Sequence, residues 1–204
     1  MRTRSIVLCT GFLLFGWAIP TGIAGQITFT LTATATGTIG VANFTNATVT
    51  IVAIGDTTSR YLFYPDTWAI NPTDSTVSIA GIGTATFTDP GYIFDDQFSG
   101  LAGFGTITQV TAPCESAPGC DLLDVHSNPA LTTYDLTTSI GPLSDTSGQL
   151  QNDWAEVSTS LGSITLSSLA TNATFAADAV PEPSTYLLLF SGLICLSQIH
   201  RRKV

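Results

Sequence analysis

Ile27-Thr28-Phe29-Thr30-Leu31-Thr32-Ala33-Thr34-Ala35-Thr36-Gly37-Thr38-Ile39 alternates without a break between threonine and an apolar or small residue. A period of two sends successive side chains to opposite faces of a strand. The stretch therefore reads as a long β-strand with one apolar and one threonine face, and no helical period competes with it. Gly40 and Asn43 mark a turn after it, and residues 47–54 form a second strand stopped by Gly55-Asp56. Shorter segments with the same character follow at 60–64, 76–80, 83–88 and 92–94, then at 101–110, 131–138, 156–160, 163–169 and 174–177. A short helix fits 122–126. Strands separated by Gly and Pro turns about every 8–12 residues define an all-β fold of the sandwich or jelly-roll kind. Asp89 to Gly105 and the loop between Cys114 and Cys120 are the expected irregular regions, and no repeat of solenoid length is present.

Working outward, the two ends differ from this body. Arg2 and Arg4 precede an apolar run from Ile6 to Ile19, which Pro20 ends, and Gly22-Ile23-Ala24 supplies small residues where a signal peptidase reads. This is the three-part secretory pattern, so residues 1–24 are read as a signal peptide. An uncleaved anchor is the rival, but the run is short of the about 20 residues that span a bilayer. At the other end, Val180-Pro181-Glu182-Pro183-Ser184-Thr185 leads into an apolar segment at about 185–199 and then His200-Arg201-Arg202-Lys203. Pro183 suits a first helical turn, where its missing N–H is not needed. Arg201, Arg202 and Lys203 form a basic stop that holds a helix end in the cytoplasm. Residues 25–179 lie between, one domain's worth of chain.

The body is strongly acidic. The chain carries a net charge of −9, and Arg60 is the only Lys or Arg between Gly25 and Ala179, against fourteen of the chain's fifteen acids. Such a surface repels phosphate and excludes nucleic acid as a partner. It suits an exported, soluble domain and divalent cations. Cys114 and Cys120 flank a Pro-Gly turn. In an oxidising compartment they read as a local disulfide; a metal site is the alternative, with His126 the nearby further ligand.

The tail resembles the PEP-CTERM sorting signal of Gram-negative bacteria: the acid flanked by Pro181 and Pro183, the apolar helix and the basic stop stand in that family's order. The resemblance covers about the last 25 residues. It implies export, an inner-membrane intermediate held by transient insertion of the tail helix, recognition of Pro181-Glu182-Pro183 by an exosortase, and delivery to the cell surface or the extracellular matrix. Proteins with this tail belong to bacteria that make exopolysaccharide, which makes that polymer the implied partner. The same tail is also labelled an ice-binding-protein C-terminus. The body resembles one group of PEP-CTERM proteins at Gly37-Thr38-Ile39-Gly40, Val49-Thr50-Ile51, Gly55-Asp56-Thr57 and residues 81–87, a likeness that carries no activity with it.

His126 is the body's histidine, and no Gly-x-Ser-x-Gly elbow accompanies it, so no nucleophile and base pair stands out. Asp95, Asp96 and Glu156 are available for glycoside hydrolysis, but adjacent acids on a strand face opposite ways. The reading is of a non-catalytic protein, with a polysaccharide-modifying enzyme as the alternative. No cofactor is expected beyond Ca²⁺, for which Asp89, Asp95 and Asp96 in one Gly-rich stretch, and Asp121 and Asp124 in another, are candidate oxygen ligands. Tyr61, Tyr64, Trp68, Tyr92 and Trp154 are candidate stacking planes for sugar. The threonine row of 27–39 also raises an ice-binding surface, which needs several aligned rows where the sequence offers one.

Overall fold

The alternating stretch is strand β1 (Gln26–Ile39), and its apolar face is sealed: Ile27, Phe29 and Leu31 have no exposed surface. A computed structural model describes residues 25–106, 121–144, 156–166 and 170–180. The leader, the tail from Pro181 onward, Cys114, Cys120 and Trp154 lie outside these residues.

Gly40, at φ 55°, turns the chain into β2 (Ala42–Asp56), which pairs antiparallel along almost all of β1. A 3₁₀ turn (Thr57–Ser59) follows, capped by the Asp56 carboxylate, which accepts the Thr58 N–H at 2.8 Å. The chain continues through β3 (Tyr61–Tyr64), β4 (Thr67–Ile70), β5 (Asp74–Ile79), β6 (Gly83–Thr86), β7 (Gly91–Asp96), β8 (Leu101–Thr106) and β9 (Asp121–Val125). A second 3₁₀ turn (Pro129–Thr133) leads to β10 (Ile140–Ser144), β11 (Val157–Thr159), β12 (Gly162–Leu166) and β13 (Thr171–Ala179).

Two antiparallel sheets result. The first runs β10-β13-β1-β2-β5-β6, with β12 beside the far end of β1 and β11 beside β12; the second runs β3-β4-β7-β8-β9. Their inner faces share one core, to which β1 gives Phe29, β13 Phe175, β7 Ile93 and β8 Phe104. Each such side chain contributes about 1.5–3 kcal/mol by leaving water. Phe87 and Phe104 bring the sheets together, with ring centroids 4.6 Å apart. A Cβ at Gly55 would stand 2.6 Å from Ile70 Cγ2, so glycine there is what lets β2 and β4 approach.

An open sheet edge invites pairing with other chains. The β6 edge is closed within the chain instead: Phe87 bridges Thr159, the Thr88 N–H donates to Ser158 O at 2.9 Å, and the Asp89 carboxylate accepts the Ser158 N–H at 2.8 Å. The first sheet thus curls through β11 and β12 back onto β1, giving a sandwich with a barrel-like end. At the opposite end Ile27 pairs with Ala179, and the Val180 N–H donates to Gln26 O at 2.9 Å. The domain therefore begins and ends at one point.

Three sequence expectations change. Residues 122–125 are strand, not helix, and His126 follows its end: the register shifts opposite Phe104 and Gly105, and both Leu122 and Leu123 are buried, which imitates helical spacing. Residues 131–138 are not a strand. Asn128 caps the 3₁₀ turn that takes up their first three residues, accepting the Ala130 N–H at 3.1 Å, and Leu136 takes a φ of 62°. Asp89 to Gly105 is mostly strand, not irregular; Gly91 and Gly103 make room for the rings of Phe104 and Phe94, while Gly100, at φ 63°, serves the turn between β7 and β8. Strand β4 is an addition, hidden in the sequence by its brevity behind Pro65-Asp66.

Candidate functional site: an aromatic cleft on the second sheet

The outer face of the second sheet carries a second, smaller apolar group of Ala69, Tyr92 and Phe94, with Tyr61, Phe63 and Leu101 against it. On β7, Tyr92, Phe94 and Asp96 share this face, while Ile93 and Asp95 point to the inter-sheet core, as strand alternation requires. Opposite Phe94 stands Gly103 on β8, and opposite Tyr92 stands Gly105. A Cβ on Gly103 would come within 2.8 Å of Phe94 Cζ, so the ring lies in the space that glycine leaves.

A cleft of about 200 Å³ opens over these rings. Phe63, Tyr64, Tyr92 and Phe94 give its apolar walls, Thr67 and Leu101 narrow it, and Asp96 and Asp121 supply its carboxyl groups. Phe63 and Tyr92 have centroids 5.3 Å apart, and Phe63 meets Tyr64 edge-on at 4.7 Å. Tyr92 donates its hydroxyl hydrogen to Asp121 Oδ1 at 3.3 Å. Burial, followed by the charge of Asp121, pushes the Tyr92 phenol well above its usual range, so it remains a neutral donor. Asp96 Oδ1 accepts the Phe98 and Ser99 N–H groups at 3.0 and 3.3 Å, fixing the β7–β8 turn.

Register decides what the two carboxyl groups can do. Asp96 pairs with Leu101, whereas Asp121 lies in the row of Gly105 and Tyr92. Four residues along the strand and two strands across amount to roughly 17 Å between their Cα atoms, at about 3.4 Å per residue and 4.8 Å per strand. Both side chains leave the same face, so the gap stays beyond the about 5–9.5 Å that acid and base, or acid and nucleophile, of a glycosidase require. The cleft has aromatic walls with a carboxyl group toward each end.

The other nominated residues are dispersed. Asp89 clasps β11. Asp124 lies on the outer face opposite Gly103, 1 % exposed, with its Oδ1 3.0 Å from His126 Nε2. Asp95 is fully buried opposite Ala102, and neither of its carboxyl oxygens has a hydrogen-bond partner among the described residues. Burial, with the charges of Asp96 and Asp135 added, raises its pKa to about 8. No group of three metal-ligating side chains converges among the described residues. Trp68 is not a free plane: the Arg60 guanidinium lies 4.1 Å over its ring and also pairs with Asp135. Burial pushes the Asp135 carboxyl up, but hydrogen bonds from Thr137 and Arg60 outweigh it and hold the pKa below the usual value. Tyr61 donates to Asn71 Oδ1 at 3.0 Å, beside the cleft. Phe98, 88 % exposed in the turn that Asp96 holds, was not marked by any pattern in the sequence.

The outer face of the first sheet carries an arrangement that sequence spacing along one strand cannot reveal. Ser144, Thr174, Thr32, Thr50, Ser78 and Thr84 stand in cross-strand register on β10, β13, β1, β2, β5 and β6. Every strand of the path adds a hydroxyl to one row, and Thr171, Thr34 and Thr48 start a second. Within the first row Ser78 and Thr84 hydroxyls lie 2.6 Å apart.

Comparison with family models, with curated proteins and with solved structures finds no match to this chain.

Proposed function

We propose that this chain is an exported, non-catalytic protein of the cell surface or extracellular matrix that holds exopolysaccharide in the cleft over Phe63, Tyr64, Tyr92 and Phe94. The cleft carries the reading: sugar rings present apolar C–H faces and polar rims, and aromatic walls with carboxyl groups at the ends match both. In this proposal residues 1–24 direct export, and an exosortase sorts the protein through Val180, Pro181, Glu182, Pro183 and Ser184, with Arg201, Arg202 and Lys203 stopping the transient membrane helix. Both junctions of the body meet at one end, which leaves the two outer faces clear of the attachment point. Among sandwiches, the order of hairpins laid alternately on the two sheets fits a simple two-sheet sandwich better than a jelly roll.

The test uses the full-length chain mixed with exopolysaccharide from its own host, with co-sedimentation and released soluble sugar measured in one tube. Binding without release is expected, and Tyr64→Ala should weaken it at least threefold. Released oligosaccharide would overturn the non-catalytic part of the reading; absence of binding would overturn the cleft's role.

The hydroxyl row favours a second reading, an ice-binding face. Regular hydroxyls about 4.8 Å apart across the strands can order a layer of water. Inhibition of ice recrystallisation that Thr32→Lys and Thr50→Lys abolish would support it; an identical effect from wild type and the double variant would remove it.

A further inference from the structure

Charge in and around the cleft limits which sugars it can take. Asp96 and Asp121 stand at its two ends, and no basic side chain lines it among the described residues. Arg60, the body's single Lys or Arg, is engaged by Asp135 and stacked on Trp68, whose partner across β7 is Asp95 on the inner face of the sheet. His126, on the outer face, lies against Asp124. A uronate, sulfate or phosphate group would therefore meet two carboxyl groups with no cation to compensate, inside an acidic domain. A neutral ring meets neither attraction nor repulsion. A ring bearing a protonated amine gains at either end, and the roughly 17 Å between the two carboxyl-bearing positions leaves each free to serve a separate amine on one oligomer. Opposite charges within a few ångströms at a partly buried surface attract strongly enough to discriminate, and the attraction weakens with salt.

We propose that the cleft is selective for amino sugars, binding glucosamine-type polysaccharide with free amines in preference to its N-acetylated or acidic counterparts. This rests on the sugar-binding reading of the same cleft. The occupant is a chain of hexosamine rings whose apolar faces lie on Phe63, Tyr64 and Tyr92 and whose ammonium groups reach Asp96 and Asp121.

The experiment is calorimetric titration of the full-length chain with four probes: a glucosamine hexamer, an N-acetylglucosamine hexamer, an oligogalacturonate and oligolysine. It is run at mildly acidic pH, where the amines carry their protons. The glucosamine hexamer should bind at least tenfold more tightly than the N-acetylated one, the advantage shrinking as salt is added, and oligogalacturonate should not bind. The isosteric double variant D96N/D121N keeps the acceptors that cap the β7–β8 turn and receive the Tyr92 hydroxyl. It should bring the glucosamine hexamer down to the affinity of the N-acetylated one. Equal binding of the two hexamers by wild type would overturn the selectivity and leave the sugar reading standing. No binding of either would overturn both. Oligolysine binding as tightly as the glucosamine hexamer, or a double variant that binds the hexamer like wild type, would show charge attraction without a site and overturn the proposal.

Discussion

Between about pH 4 and pH 8 the protein is expected to lose several kcal/mol of stability, and Asp95→Leu should remove most of that loss. The Asp95 carboxyl is fully buried on the inner face of β7, without a hydrogen-bond partner among the described residues, near Asp96, Asp135 and the buried Tyr134. Its pKa rises from 3.8 to about 8 on folding. The folded chain therefore keeps a proton that the unfolded chain gives up throughout that window, and each unit of pH costs the folded state about 1.4 kcal/mol. The full effect is present above the folded pKa and absent below the unfolded one, an upper limit of about 6 kcal/mol. Repulsion among the surface acids also grows with pH, mostly below about pH 5 where ordinary carboxyls ionise. Urea unfolding of wild type and Asp95→Leu at several pH values separates the two. Leucine is larger, and overpacking of about 1–3 kcal/mol can shift the whole variant curve, so the slope is the readout. Above pH 5 wild type should fall and the variant stay nearly level; parallel curves would mean that Asp95 is solvated or paired in solution.

How much of this was legible beforehand depends on the length scale of the signal. The alternation of Ile27 to Ile39 fixed β1 almost to the residue, because a strand buried on one face writes its period into the chain. All-β character followed from it. The helix expected at 122–126 failed because a register shift places Leu122 and Leu123 side by side in the core, and a bulge is a tertiary fact with no local signature. The pairing of sequence-adjacent acids with opposite faces was readable; Asp96 in the cleft and Asp95 in the core realise it. Which face was which was not readable, since Asp96-Gln97 and Asp95 look alike in a string of letters. Of the nominated aromatic residues, Tyr64 and Tyr92 line the cleft, whereas Trp68 is covered by the one cation of the body. The six-strand hydroxyl row was invisible for the same reason: each strand contributes one residue, and only pairing aligns them.

Gly103→Ala should cost roughly 2–3 kcal/mol and close the cleft at the same time. The added Cβ would lie 2.7 Å from Asp124 Cβ, 2.8 Å from Leu123 O and 2.8 Å from Phe94 Cζ. The ring of Phe94 can turn aside. Leu123 O and Asp124 Cβ cannot, because both belong to β9, paired with β8 through Leu123 opposite Phe104 and Val125 opposite Ala102. The strain therefore goes into the β8–β9 ladder, and what does yield, Phe94, yields into the cleft. For a chain of this size the melting temperature should fall by roughly 5–10 °C, at about 2–4 °C per kcal/mol. Binding of exopolysaccharide at temperatures where the variant is still folded should fall with it. Adding Phe94→Leu to Gly103→Ala tests which neighbour matters. If the ladder carries the strain, the second change restores little stability; if stability returns in full, the ring alone was the obstacle, and β9 is held more loosely than its register implies.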